Sequence, residues 1–456
     1  MQANKICPSY ASLPSHDLYS GILDVEYLQC HDEGLDIEPL KPLMESISAL
    51  KPSKEREDLA HTVFQMICGL PLRKGFPYQE PSDLASIRAL CRPAPELPEA
   101  VLNDRLRDQI HGAWAGRIAG CLLGKPVEGF SVERIENLLR KMNNYPMNRY
   151  FMAKDFPSDP AEREACRSDI MTHALADTIP YAIADDDTNY TVLGWKLIEQ
   201  YGRGFTPENV LELWVASQPR NAYFTAEYVA FNNYIKGFRP PMSAAYQNPY
   251  REWIGAQIRG DYFGYINPGD PAAAADMAWR DASISHTKNG IYGEMFVAAM
   301  ISAAAVTSDM ETIIQTGLSQ IPSTSRLYEA ITAVLDAFHA GVTFEQFSAA
   351  FHQKYNSPIG HVRIHTIPNA ILVAAALLYG RGDFSRTICM AVQNALDTDC
   401  NGATAGSIVG MVCGASAIPA QWTDPLNGRV ETQIGGLGVV PITDMVERTL
   451  KHLKCS

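Results

Sequence analysis

Apolar and small residues recur at three- and four-residue spacing through long runs at 110–123, 190–201, 293–305, 326–340, 368–379, 403–415 and 442–453. Such spacing lays one stripe along a helix, and β-branched residues rarely alternate with polar ones, so the pattern predicts an all-α chain. The first hundred residues have a different texture. Short helical runs at 43–50 and 55–68 are punctuated by Pro39, Pro42, Pro52, Pro71, Pro77 and Pro81, and a turn-rich stretch at 91–98 closes them. The expected division is an N-terminal helical extension, 1–105, and a larger helical domain, 106–456.

Two local patterns add detail. Gly112, Gly116, Gly120 and Gly124 recur every fourth residue, a stripe that lets another backbone approach closely. Arg117 and the short apolar length make this a buried helix of a soluble bundle rather than a membrane dimerisation face. The segment 233–282 is aromatic and rich in Pro and Gly, and it reads as a long binding loop. Its backbone amides and aromatic faces suit a phosphate- and base-bearing ligand, with Phe263, Gly264, Tyr265 and Asn267 as candidate contacts. The alternative is an aromatic loop packed over the bundle.

Composition narrows the class. With 456 residues, 46% of them hydrophobic, the chain has ample material for a large core. The formal charge of -13 argues against nucleic-acid binding, which needs clustered Lys and Arg. The 10 cysteines form no Cys-x-x-Cys pair and read as reduced thiols. The N-terminus lacks the apolar stretch of a signal peptide, and no run approaches the roughly 18 apolar residues that span a bilayer. No membrane association is expected, and the expected compartment is the cytoplasm.

The candidate chemistry lies in two acidic clusters far apart in sequence: Asp185, Asp186 and Asp187 before the 190–201 run, and Asp397 and Asp399, followed by Cys400, before the 403–415 run. Carboxylates crowded among apolar residues repel unless protons or cations neutralise them. Each cluster alone could be a helix cap with solvated acids, Asp187 or its neighbour capping the first and an Asx turn opening the second. Together they favour a shared oxygen-ligated divalent cation, with Asp397 and Asp399 alternating on a short extended segment. No Gly-x-Ser-x-Gly elbow suggests covalent catalysis. Asn369, after His365, reads as a helix cap close to the site.

Four segments in order, the glycine-rich 112–128, Asp185-Asp186-Asp187-Thr188, Ser285-His286-Thr287 and Asp397-Thr398-Asp399-Cys400, resemble the ADP-ribosylglycohydrolase family over 106–451. That resemblance implies a compact orthogonal helical bundle holding two divalent cations, Mg²⁺ with Mn²⁺ as the alternative. It implies Asp186, Asp187, Asp397 and Asp399 as ligands, Glu128 as the acid beside the attacking water, with Asp187 and Asp399 sharing the catalytic role, and His286 facing the ligand. The implied reaction is hydrolysis of an N- or O-glycosidic bond at ribose C1 of ADP-ribosylated substrates. Alternatives are a small riboside or other sugar glycoside as substrate, or a non-catalytic ADP-ribose-binding or structural member of the family. The chain departs from the family pattern at two ligand positions: Asp185 stands where Thr or Ser is usual, and Cys400 where Thr is usual. Asp185 adds a hard anionic oxygen. Cys400 offers sulfur, which suits Mg²⁺ poorly, or is a small buried residue with water or Asp185 completing the coordination. Cys121 stands where relatives commonly carry Asp, a change expected to affect packing.

Overall fold

Helices in this chain begin where a short polar side chain takes up a free backbone amide: Asn103 accepts from Leu106 N, Ser325 from Tyr328 N and Asp383 from Arg386 N. The computed structural model describes residues 9–355 and 360–453. Cys7, Cys455 and the first eight residues, read above for a leader, lie outside the described residues. Among the described residues there are 23 α-helices and one antiparallel hairpin, Arg429–Glu431 against Val439–Pro441, with Val430 opposite Val440. The chain is all-α. The eight described cysteines are all free, and no described helix is long and apolar enough to cross a membrane.

The glycine stripe organises the centre. Helix Asp104–Gly124 runs antiparallel to helix Thr398–Cys413, which carries its own stripe of Gly402, Gly406 and Gly410. A methyl group at Gly112, Gly116, Gly120 or Gly124 would collide with the carbonyl oxygen of Gly410, Gly406, Gly402 or Thr398 respectively. The contact is reciprocal, so the two backbones touch with no side chain between them. This pairing sets the site: the C-terminal end of one helix lies on the N-terminal end of the other, and Thr398 Oγ1 donates to Gly124 O at 2.9 Å.

The helix Asp186–Tyr201 is brought to the same place from two sides. Ala182, just ahead of it, bridges to Val430 of the hairpin, with Ala182 N donating to Arg429 O and Glu431 N to Ala182 O. From the glycine helix, Arg117 reaches across the core to the first turn.

The segment 233–282 is not the exposed loop expected. It holds helices Met242–Ala245, Asp261–Tyr265 and Pro271–Ala282, and residues 248–267 are buried throughout. Its buried charges pair largely with groups outside the segment, Arg251 with Glu26 and Asp261 with Arg117 among them. Arg259 pairs with Glu227 at 2.6 Å and Asp281 at 2.5 Å, so a Pro- and Gly-rich stretch that looks solvated in sequence becomes core. The first hundred residues pack a second apolar cluster, including Leu23, Met44, Ile47 and Phe64, onto Ala226, Tyr250 and Trp253 of the main body.

Candidate active site

Two helix N-termini and the turn after the glycine helix converge on one cluster of acids. Ligand atoms of Asp187, Asp399 and Cys400 lie within 4.8 Å of one another, as do those of Glu128, Asp397 and Asp399, and of Cys121, Asp185 and Asp187. Segments remote in sequence therefore share one centre. Asp185, Asp187, Asp397, Asp399 and Cys400 are buried, while Asp186 and Glu128 are half-buried.

Backbone geometry aims each acid. Asp185, rather than Asp187 or its immediate neighbour, is the residue preceding its helix, and its carboxylate accepts from Asp187 N at 3.0 Å. Asp397 and Asp399 are not on an extended segment: Asp397 precedes its helix and Asp399 lies in the first turn. Ala395 and Leu396 immediately before them are both left-handed, at φ 62° and 63°. That conformation costs roughly 1–2 kcal/mol per non-glycine residue, and here it turns the chain so that Asp397 enters the centre. Asn369 is not a cap either. Buried within helix Thr366–Gly380, its Oδ1 accepts from Asp397 N at 3.2 Å and Asn401 Nδ2 at 2.8 Å, and its Nδ2 donates to His365 O. His365 takes the cap.

Two cations are built into this anionic centre. Arg117, fully buried, donates to the Asp187 backbone oxygen at 2.8 Å, reaches Asp187 Oδ1 at 3.2 Å, and pairs with Asp261 at 2.9 Å. Lys125 places its Nζ 2.7 Å from Asp185 Oδ2, 3.0 Å from Asp399 Oδ2 and 2.8 Å from Glu128 Oε2. Burial works against its charge, but Asp399, Asp185 and Glu128 outweigh that and raise its pKa far above the ordinary value. The three carboxylates thus favour the charged form of Lys125.

The acids respond to the crowding. Burial and then Asp185 push Asp187 well up despite Arg117, and burial followed by Asp399 and Glu128 does the same to Asp397. Burial and Asp185 also raise Asp186. The Asp399 carboxylate, followed by burial, pushes Glu128 up to about 7 against the pull of Lys125. Burial raises Asp185 too, but Lys125 and the Asp187 amide hold it below the usual range. The arrangement thus holds protons or cations.

The donor set is of a kind that can hold a divalent ion. Asp187 Oδ2 and Asp399 Oδ1 are buried with no hydrogen-bond partner, and they belong to the group that includes Cys400. Hard carboxylate oxygens beside one sulfur suit Mn²⁺ better than Mg²⁺. Asp185 Oδ2 has no hydrogen bond of good geometry but faces the Lys125 ammonium as an ion pair. There, Lys125 already serves as the cation.

Other candidates lie elsewhere. Phe263 stacks on Phe205, Tyr265 Oη shares a hydrogen bond with Ser407 Oγ at 2.7 Å, Asn267 Nδ2 donates to Phe263 O, and Gly264 packs against Ile301 and Ala298. All four are buried, which corrects their reading as exposed loop contacts: their rings and amides are committed to the core. His286 is also buried; Ser285 Oγ lies 2.8 Å from its Nδ1, and its Nε2 is 3.8 Å from Glu227. Burial and the Arg259 charge push its pKa well down, keeping the ring neutral.

Sequence reasoning placed Asn369 near the site in another role, and it missed Arg117, Asp261 and, above all, Lys125. The signal for Lys125 was present: it directly follows the last stripe glycine and stands three residues before Glu128.

The ADP-ribosylglycohydrolase family model matches residues 102–451. A solved structure entitled ADP-ribosylglycohydrolase-related protein complex is 18% identical, covering 77% of this chain and 98% of its own, with a TM-score of 0.47. No curated protein matches. With the family's model spanning most of its length, including every acid of the centre, this chain belongs to the ADP-ribosylglycohydrolase family.

Proposed function

We propose that this chain is a cation-dependent hydrolase of the N- or O-glycosidic bond at the ribose C1 of ADP-ribosylated substrates. The observation that carries this reading is the convergence of Asp185, Asp187, Asp397 and Asp399 with half-exposed Glu128 at the rim, leaving buried oxygens of Asp187 and Asp399 without partners. Asp187 and Asp399 would hold a divalent cation together with Cys400, with Asp185, Asp186 and Asp397 alongside. Such a cation supplies Lewis-acid polarisation and lowers the pKa of water.

The chain's own residues do the rest. Glu128, half-exposed and held through Oε2 by Lys125, accepts a proton from the attacking water. Arg117 fixes Asp187, and Asn369 fixes the Asp397 backbone, so the acids need little reorganisation when charge develops. Ribose is the fitting substrate because its vicinal hydroxyls are hard oxygen donors and its C1 is the carbon a water can attack.

Asp397→Asn tests the reading on a panel of ADP-ribosyl-arginine, ADP-ribosyl-serine, O-acetyl-ADP-ribose and simple nucleosides with Mn²⁺ or Mg²⁺. Expected is cation-dependent turnover of an ADP-ribosyl compound by the native chain and at least a 100-fold loss in the variant, on the scale of removing one catalytic group. A folded Asp397→Asn protein with full turnover overturns the assignment of the site. Preference for nucleosides lacking the diphosphate overturns the substrate class.

A further inference from the structure

Lys125 does more than hold Glu128, because it sits among three acids of the cluster. Its Nζ lies 2.7 Å from Asp185, 2.8 Å from Glu128 and 3.0 Å from Asp399. A divalent ion using the same oxygens would sit at about 2.0–2.6 Å from them, in the volume the ammonium fills. The side chain cannot readily retire. Lys125 directly follows Gly124, whose backbone is pressed on Thr398 and Asp399, and only 18% of its side chain is exposed.

The remaining donors divide cleanly around it. Asp399 offers Oδ2 to Lys125, while its Oδ1 is buried and unpartnered; Asp187 likewise keeps a buried unpartnered Oδ2. These two carboxylates group with Cys400, which is not among the ammonium's partners. We propose that Lys125 is the second cation of this centre: its ammonium holds the place between Asp185, Asp399 and Glu128, and the protein takes one divalent ion, at Asp187, Asp399 and Cys400.

This inference rests on the cation-dependent reading of the same site, but its test is a count rather than a rate. Mn²⁺ is titrated into the full chain after chelation, and free Mn²⁺ is followed by electron paramagnetic resonance. The native chain is expected to bind one Mn²⁺. Lys125→Ala and Lys125→Gln, which release three carboxylates, are expected to bind two, and Lys125→Arg, which keeps the charge, one. Two ions or none in the native chain overturns the inference, as does a single ion in a folded neutral variant. If neither neutral variant folds, the native count and the Lys125→Arg count still decide. The two failures separate: a chain that binds two ions and hydrolyses ADP-ribosyl compounds sinks the role of Lys125 alone, whereas one that binds a single ion without hydrolysis sinks the activity alone.

Discussion

At the scale of single residues, function depends on which acids are held and which are left free. Asp187 and Asp399 each place one oxygen on a built-in cation and leave another without a partner. Glu128 differs because it is half-exposed and is anchored through Oε2 alone. Its role as proton acceptor predicts that Glu128→Gln lowers kcat by roughly 10²–10⁴-fold while the Mn²⁺ count stays that of the native chain. Steady-state rates beside the Mn²⁺ titration check this, and an unchanged kcat removes Glu128 from the proton path. The acids were legible in the sequence because runs of aspartate in apolar surroundings need a cation. The role of Arg117 was not, nor the hydrogen bonds of Asn369, because supporting a carboxylate segment from a distant helix leaves no local pattern.

At the scale of elements, the paired glycine stripes are the structural device. Because Gly120 and Gly402 meet backbone to backbone, an added methyl has no flexible neighbour to displace. Gly120→Ala is therefore expected to destabilise by about 1–3 kcal/mol or more and to weaken cation binding, because separating the helices moves Lys125 and Glu128 away from Asp399. Urea unfolding with Mn²⁺ titration checks both effects, and native stability in the variant contradicts the close approach. The stripe on 112–124 was readable from its spacing; its partner was not, since Gly402, Gly406 and Gly410 gain meaning only once the pairing is known.

A second element-scale prediction concerns the buried group where Arg259 faces Glu227, Asp281 and, at 3.6 Å, Glu294. One guanidinium cannot balance three carboxylates, and burial pushes Glu227 from 4.5 up to about 7. The folded chain then binds this proton more tightly than the unfolded one. Its stabilisation is complete below about pH 4.5 and is lost as pH rises through about 7. The shift corresponds to on the order of 3 kcal/mol. Urea unfolding at pH 5 and pH 8 should show native stability falling by that order more than in Glu227→Gln; equal pH slopes contradict it. This cluster explains why 233–282 misled the sequence reading: charges scattered over separate segments signal solvent until their pairing is seen.

At the scale of the whole molecule, the first hundred residues are tied to the main body by polar contacts as well as by their apolar cluster. Trp253 Nε1 can only donate, so it fixes His361 Nδ1 as acceptor, and the His361 Nε2–H then meets Asp32 at 2.9 Å. That tautomer makes the Asp32, His361 and His365 group a bridge between segments rather than a metal site. It lines a cavity of about 360 Å³ at the seam, together with Arg73, Phe76 and Tyr355. The all-α class was legible throughout from periodicity, but the seam was not, because its partners lie hundreds of residues apart.

The strongest tie is Arg251, buried and paired with Glu26 at 2.8 Å and Glu33 at 2.6 Å. Removing the cation alone leaves two carboxylates in a dry environment, with Lys288 on Glu33 at 2.7 Å as a remaining cation and Gln29 and Cys30 as neutral donors. Arg251→Met is therefore expected to cost about 3–5 kcal/mol, the range for breaking a buried pair from one side. Replacing all three together, Glu26→Gln and Glu33→Gln with Arg251→Met, removes the stranded charges and should recover most of that loss. Denaturant unfolding of the native chain, the single variant and the triple variant measures both steps. Equal losses in single and triple variants would mean that the packing of Arg251, rather than its charge, joins the N-terminal helices to the body that carries the site.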